Sequence, residues 1–364
     1  TAVGFEALKI NLTSNNTAVG YQVLDACTSG SPNSGFGFGA LGAVTTGVQN
    51  DAHGHGAGGA ITTGNYNVAM GMNAGATATT VNNNTSIGAW ANYAATAAGN
   101  TAVGAFVMDA ASFSGANNTA VGSGAASAMT TGASNSALGF GALALCTTGQ
   151  SNAVFGVNAG TAITTSVGNT MHGMSAGGLT TTGGSNIFIG YTTGDANTTG
   201  SSNIIIGAGT DVSAVDNTYE LVLATSGVGK GSSTGYINPQ GGAMYQGSNG
   251  TAWTATSDRR IKKGIVPNTK GLAAIIQIEP KNFYYKSDEE LQEELPGAEE
   301  DLPLNKLTTS AIAQELDLIF PEAIECRGEH DIMSVNTDPI FWAMINAIKE
   351  LSAKVTELED KLDG

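Results

Sequence analysis

One glycine returns thirteen times along the first part of the chain, at positions 4, 20, 37, 54, 71, 88, 104, 122, 139, 156, 173, 190 and 207, with a spacing of 17 that slips only to 16 or 18. Four residues before it stands an asparagine in each of the twelve copies long enough to hold one: Asn16, Asn33, Asn50, Asn67, Asn84, Asn100, Asn118, Asn135, Asn152, Asn169, Asn186 and Asn203. A fixed period of this kind dictates architecture, because each repeat must be one unit that stacks on the next. The unit reads Asn-Thr-Ala-Val-Gly-x-x-Ala and then a Gly/Thr turn, with Thr-Thr-Gly at 45–47, 62–64, 130–132, 147–149, 181–183 and 198–200. Short alternation followed by turn residues is a strand and a turn. Seventeen residues are too few for a propeller blade or a helical hairpin, and enough for one coil of a β-solenoid. At a sheet spacing of about 4.8 Å the repeats would make a rod of roughly 58 Å. Identical asparagines on successive coils predict a hydrogen-bonded ladder along it, although asparagines that only end turns would suit the same fold.

The residue before the glycine is mostly large and apolar (Val19, Phe36, Met70, Ile87, Val121, Leu138, Phe155, Ile189, Ile206), and the one before that is mostly alanine (Ala18, Ala52, Ala69, Ala102, Ala120, Ala137). Alternate strand residues point to opposite faces. A narrow coil filled with alanine has no room for the large row, which is therefore expected to pack against other chains. Three-fold association about the rod axis is the simple closed solution. With every repeat alike, a one-coil slip between chains would cost little.

Composition agrees with a repetitive rod. Glycine makes up 51 of 364 residues, about twice ordinary usage, and charged residues are 12%, about half of it. Glycine does not recur every third residue and proline numbers only 8, which excludes collagen. The net charge of -16 divides at Ser257, with -6 before it and -10 from it onward. Neither part has the basic stripe that phosphate contacts need, which argues against a nucleic-acid partner. Cys27, Cys146 and Cys326 are too far apart in sequence to form a metal knuckle or a disulfide framework, so buried free thiols are expected. No apolar run approaches the ~20 residues of a membrane span, so membrane insertion is not expected. The chain starts inside a repeat, as a piece of a longer protein would.

Two histidines, His53 and His172, take the large apolar position, and His55 follows His53 at strand spacing. If that face met a three-fold axis, His53 and His55 of three chains would offer a nitrogen octahedron suited to Fe²⁺ or Ni²⁺. Stacked or solvent-bridged histidines are the alternative. No cofactor is otherwise required. The acids of the rod (Glu6, Asp25, Asp51, Asp109, Asp195) sit on distant coils, so no carboxylate pair suited to glycoside hydrolysis is implied within one chain, and catalysis on an external substrate is not expected.

After residue 210 the period breaks, and 211–256 read as a small β-rich connector that covers the last coil. Composition changes again at Thr256-Ser257-Asp258-Arg259-Arg260-Ile261-Lys262-Lys263-Gly264-Ile265, where a hydroxyl, a carboxylate and four cations crowd into seven residues, 257 to 263. The stretch 288–301 is acidic and interrupted by Pro296, as an exposed loop would be. At the end of the chain Phe341, Met344, Ile348, Leu351, Val355, Leu358 and Leu362 fall on a and d positions of heptads, which predicts a coiled coil.

Asn16-Thr-Ala-Val-Gly20 and Asn118-Thr-Ala-Val-Gly122 resemble the head repeats of trimeric autotransporter adhesins and similar repeats of phage fibres. From Ser257 the chain resembles the intramolecular chaperone domain of endosialidase-type phage tailspikes and fibres, the S74 peptidase family. The blocks that carry this likeness are Ser257 to Ile265, Ile275 to Phe283, Ala311 to Leu316, Phe320-Pro321, Ser334-Val335-Asn336 and Ala347 to Leu351. The likeness implies a mainly β trimer in four parts: a β-solenoid rod over 1–210, a β neck over 211–256, an α+β chaperone domain over 257–340 and a coiled coil over 341–364. It also implies single-turnover self-cleavage at the Thr256–Ser257 bond, with Ser257 as nucleophile and Lys262 as base. Some phage fibres and spikes hold iron with a similar His-x-His device. The expected function is host-surface attachment through a glycan or protein receptor, on a virion tail fibre or a bacterial surface adhesin. A glycan-degrading tailspike is the alternative, and an ice-binding Thr-Thr-Gly face is weakened by the interrupted copies at Thr79-Thr80-Val81 and Thr164-Thr165-Ser166.

Overall fold

The computed structural model describes residues 1–239, 244–247, 259, 262–287, 290, 307–327 and 332–363. The chain separates into two compact units, Thr1–Ser257 and Asp258–Gly364. Thr256, Ser257 and nearly all of the acidic stretch 288–301 lie outside the described residues. No described helix is long and apolar enough to cross a membrane.

The first unit is a β-solenoid of about fourteen turns, built on one 16-stranded sheet whose strand order follows the chain. Strands are parallel from Ala2–Val3 to Gly235–Asn238, and an antiparallel strand, Met244–Gln246, follows. Each pairs one repeat apart, as in Ala120↔Ala137 and Phe188↔Ile205. Hydrogen bonds continue around the coil. At the strand end the N–H of Gly122 donates to the Val103 carbonyl of the coil before (2.8 Å), while on the turn side Ala126 and Thr130 donate to Ala142 and Thr147 of the coil after (both 2.9 Å). Backbone bonding between coils thus extends well beyond the three or four strand residues of most turns.

Such a small coil closes because the backbone is left-handed at fixed places. The corner glycines have φ from +125° to +146°. A Cβ on Gly37 would stand 2.7 Å from the Gly54 carbonyl oxygen, so no other residue fits the corner. Four residues on, the coils from Gly4 to Gly190 again have positive φ, near +50° in Leu8, Leu24, Leu41, Asn92, Met108, Ala126 and Leu143, while Gly58, Gly75, Gly160, Gly177 and Gly194 fill the place in the others. A left-handed leucine costs roughly 1–2 kcal/mol, and burial of its side chain offsets this.

That position faces the middle residue of the strand across the coil interior, and the two exchange volume. Ala18, Ala102 and Ala137 are matched by Leu24, Met108 and Leu143; Met171 and Phe188 are matched by Gly177 and Gly194. A Cβ on Gly177 would lie 2.5 Å from Met171 Sδ, and one on Gly194 2.6 Å from Phe188 Cγ. The exchange does not hold in every coil, since Ala52 is paired with Gly58 and Ala120 with Ala126. One expectation is corrected: Val154, Met171, Phe188 and Ile205 are fully buried inside coils that were read as alanine-sized. The match lapses around Ala69, Gly75, Ala78 and Ser86, where a cavity of ≈ 10 Å³ adjoins Asn92, whose buried amide has no hydrogen-bond partner.

The asparagines form the predicted ladder, all twelve buried. Asn118 Oδ1 accepts the backbone N–H of Asn135 (2.9 Å), Asn135 Oδ1 that of Asn152 (3.0 Å), and so on along the rod, while each Nδ2 donates to a carbonyl farther along, as Asn135 to Gly149 (2.8 Å). The stack does not stop at Ile206. Leu221–Ala224 pairs with Ile204–Ile206 at the same 17-residue offset, and Gly235–Asn238 pairs next, so coils continue into the stretch read as a neck. Sequence hid this because Glu220 replaces asparagine in the ladder. Its N–H donates to Asn203 Oδ1 (2.9 Å), and its buried carboxylate accepts from the N–H groups of Ser213 (3.2 Å) and Gly231 (2.7 Å) and from Asn217 Nδ2 (3.3 Å).

The second unit is α+β. A short helix, Leu272–Ile275, precedes the antiparallel pair Lys281–Phe283 and Thr308–Ser310; a second helix, Ala313–Asp317, precedes the pair Ile324–Arg327 and Ile332–Val335. A 26-residue helix, Asp338–Asp363, follows. Asn336 Oδ1 accepts the N–H of Asp338 (3.0 Å), Pro339 falls in the first turn and Lys361 in the last, as a helix of this polarity prefers.

Candidate functional site

The second unit is held by a small core of Leu316, Phe320, Ala323 and Ala343, against which Ile275, Ile278, Ala311 and Val335 pack. Four of the sequence blocks that carried the family likeness meet here. Lys270 ties them from outside: Nζ donates to the Ile319 carbonyl (2.6 Å) and to Glu322 Oε2 (2.8 Å), and stands 4.6 Å from the Phe320 ring centroid. The bond from Lys270 holds the Glu322 carboxyl below the usual carboxylate range. The long helix is fastened by Asn346, which donates to the carbonyls of Asn268 and Lys270 (both 3.0 Å), and by Glu350, which accepts the Leu272 N–H (3.1 Å).

Ala343 and Ala347 of that helix face the core, and the heptad residues do not. Phe341, Met344, Ile348, Leu351, Val355, Leu358 and Leu362 are all exposed. An apolar seam of this length on a solvated helix is the surface that coiled coils cover.

Of the two residues expected to cleave the chain, Lys262 is described and Ser257 is not. Lys262 is exposed, and its backbone N–H donates to the Arg259 carbonyl (3.2 Å).

On the rod, His53 and His55 flank the corner Gly54. His53 Nε2 is 3.1 Å from Asp51 Oδ1, and its ring packs on Phe36 at 4.5 Å; the His55 ring stacks on Phe38 at 5.0 Å, 7° from parallel. Among the described residues of one chain no group of three or more His, Cys, Asp and Glu is placed to hold a metal ion. His172 packs against Phe155 at 5.9 Å.

These histidines belong to a larger feature. The residue before each corner glycine points outward, as the alternation required, and the residue after it points outward as well. Sequence reasoning missed this second row, since it follows the strand and shows no alternation. It contains Phe5, Tyr21, Phe38, Phe140, Val157 and Tyr191, all exposed, and Phe5, Tyr21, Phe38 and His55 form a continuous ring stack with centroids 5.0–5.3 Å apart. The two rows make an apolar strip that follows the corner from coil to coil. Exposed apolar surface on this scale marks an interaction site.

Searches of curated proteins and of solved structures return no match. One family model does match: residues 257–325 fit the chaperone of endosialidase, peptidase S74. Beginning at the composition break and following a solenoid of 17-residue coils, that match fits a tail fibre with a C-terminal chaperone of the endosialidase family.

Proposed function

We propose that the chain is the distal part of a trimeric fibre on a virion, whose rod and the strands after it attach to a host cell surface, and whose second unit is an intramolecular chaperone. The observation that carries this reading is the family match placed directly after the solenoid. The family is found in phage tail fibres and implies trimeric assembly. Two unpartnered apolar features support it independently, the strip on the rod and the seam on the helix Asp338–Asp363.

Mechanism follows from topology. Parallel solenoids must be aligned before their coils lock, and coil-to-coil bonding in one chain carries no information about the others. A trimerising tail supplies the alignment. Its release then leaves an assembled rod that cannot repeat the process once unfolded, so stability becomes kinetic. In the cleavage step Ser257 Oγ attacks the Thr256 carbonyl carbon while Lys262 takes the hydroxyl proton. The same lysine returns that proton to the departing Ser257 amine, and water hydrolyses the ester, leaving the Thr256 carboxylate and a free serine. In the assembled fibre His53 and His55 of three chains would supply imidazole nitrogens for Fe²⁺ or Ni²⁺. The donors fit, since both rings lie on the outward strip and Asp51 gives His53 the outer carboxylate partner that metal-bound imidazoles favour. Metal analysis of the purified fibre tests this, and absence of bound metal contradicts it.

The chaperone role is tested by expressing the full chain beside one ending at Thr256. The full chain is expected to give assembled rods and the shortened one aggregates; native assembly of the shortened chain overturns the role. On a denaturing gel wild type should give two bands, and Ser257→Ala or Lys262→Ala one. Attachment is tested by binding of labelled fibre to whole host bacteria. Reducing sugar released from surface polysaccharide would favour the glycan-degrading alternative.

A further inference from the structure

The strip on the rod has a shape as well as a polarity. Its two rows lie on either side of the corner glycine: Phe36 and Phe38 about Gly37, Leu138 and Phe140 about Gly139, Ile189 and Tyr191 about Gly190. The corner is a wedge with an apolar row on each flank. We infer that three copies of the rod meet at these wedges, corners toward a common axis, with the row before the glycine in each copy seated on the row after the glycine in the next. This rests on the trimeric reading above and adds the surface, the pairing of rows and the register.

The occupant is another copy because of period. Strip residues recur once per coil at the sheet spacing, from Val3 and Phe5 to Ile206, and a partner that covers them must repeat at that rise over the same length. A second parallel solenoid of this sequence does so, whereas a peptide or a glycan would cover a few coils. The strip also lacks Lys, Arg, Asp and Glu, its only titratable side chains being His53, His55, His172, Tyr21 and Tyr191. Copies of a chain with net charge -16 can approach there without opposing charges. A row-on-row contact between unlike flanks is heterologous, and around a three-fold axis it closes.

In this arrangement a one-coil slip would no longer be free. Side chains after the glycine run from Phe38, His55 and Met72 to Ala89, Ala105 and Ser123, and then back to Phe140. In register the mid-sized Ile87, Val103 and Val121 meet Ala89, Ala105 and Ser123, whereas a slip of one coil sets Val121 on Phe140 and Met70 on Ala89, or in the other direction Leu138 on Ser123 and Ile87 on Met72. The interior repeats are interchangeable; the outer ones encode register.

The test uses the full chain with Cys326→Ser as background, the other two cysteines being buried. Val103→Cys with Ala105→Cys places a thiol on each flank of one corner. Mild oxidation should convert this variant to a covalent trimer on a non-reducing gel, with each single variant remaining at one-chain mobility. Val121→Cys with Ala105→Cys, one coil out of step, should not cross-link. A three-chain mass by light scattering with no cross-link from the first pair overturns the proposed surface and leaves the trimer standing. Equal cross-linking of the two pairs overturns the register. A one-chain mass for every variant overturns the trimeric reading itself.

Discussion

Residue Asn92 sits where other coils hold Leu24, Leu41, Met108 or Leu143, with a left-handed backbone and a buried amide that lacks a partner. A buried unsatisfied polar group costs about 1–3 kcal/mol, so Asn92→Leu, which would also fill the adjoining cavity of ≈ 10 Å³, is expected to raise the thermal midpoint; a lower midpoint would contradict the volume exchange described above. Cys146 is pushed up to about 11, and Cys27 is raised as well, in both cases first by burial. A thiol reagent at neutral pH should therefore label Cys326 alone in the native protein and all three cysteines after denaturation. Burial, and then the charges of Asp195 and Glu220, raise Asp211, against the opposing bonds from the Ala196 and Val212 N–H groups. A carboxyl raised on folding stabilises the native state below its unfolded value, and that contribution is lost as pH rises through the folded value. Asp211→Asn should thus gain stability relative to wild type as pH is raised from 4 toward 7 in thermal unfolding. A difference that does not change with pH would count against this. At this scale the sequence was legible wherever one residue type repeats, as in the corner glycines and ladder asparagines. It was not legible where two positions share one space, since Leu24 and Gly177 occupy equivalent sites for reasons that only the facing Ala18 and Met171 reveal.

Elements of the rod depend on the ladder more than on strand propensity. Asn135→Ala would orphan the buried N–H of Asn152 and the Gly149 carbonyl, now bonded at 3.0 and 2.8 Å. At about 1–3 kcal/mol each, the expected loss is roughly 2–6 kcal/mol, read as faster hydrogen exchange in the coils on either side. Unchanged exchange would mean that the ladder is incidental. The element that sequence reading ended too early is the stack itself. Its period was followed through asparagine, and at Glu220 a carboxylate satisfied by backbone and side-chain donors does the same task with a different residue. The C-terminal helix was legible from its heptads alone. Its inner face was not, because Ala343 and Ala347 carry too little apolar surface to stand out in a pattern.

The whole molecule joins two chemistries that fold by different rules. The rod is nearly uncharged, bonded coil to coil and apolar on an outer strip; the second unit has a small core and an exposed heptad seam. On the proposed reading other copies of the chain cover both apolar surfaces, and the unit that brings them together is the one whose residues 257–325 match the chaperone family. The measurement that reaches this claim most directly is the molar mass of the purified assembly by light scattering, taken on the full chain and on Ser257→Ala. Ser257→Ala should give three times the chain mass of 36.5 kDa, and wild type the same or three rods without their released tails. A single-chain mass for both, in protein whose circular dichroism shows the folded solenoid, would contradict it.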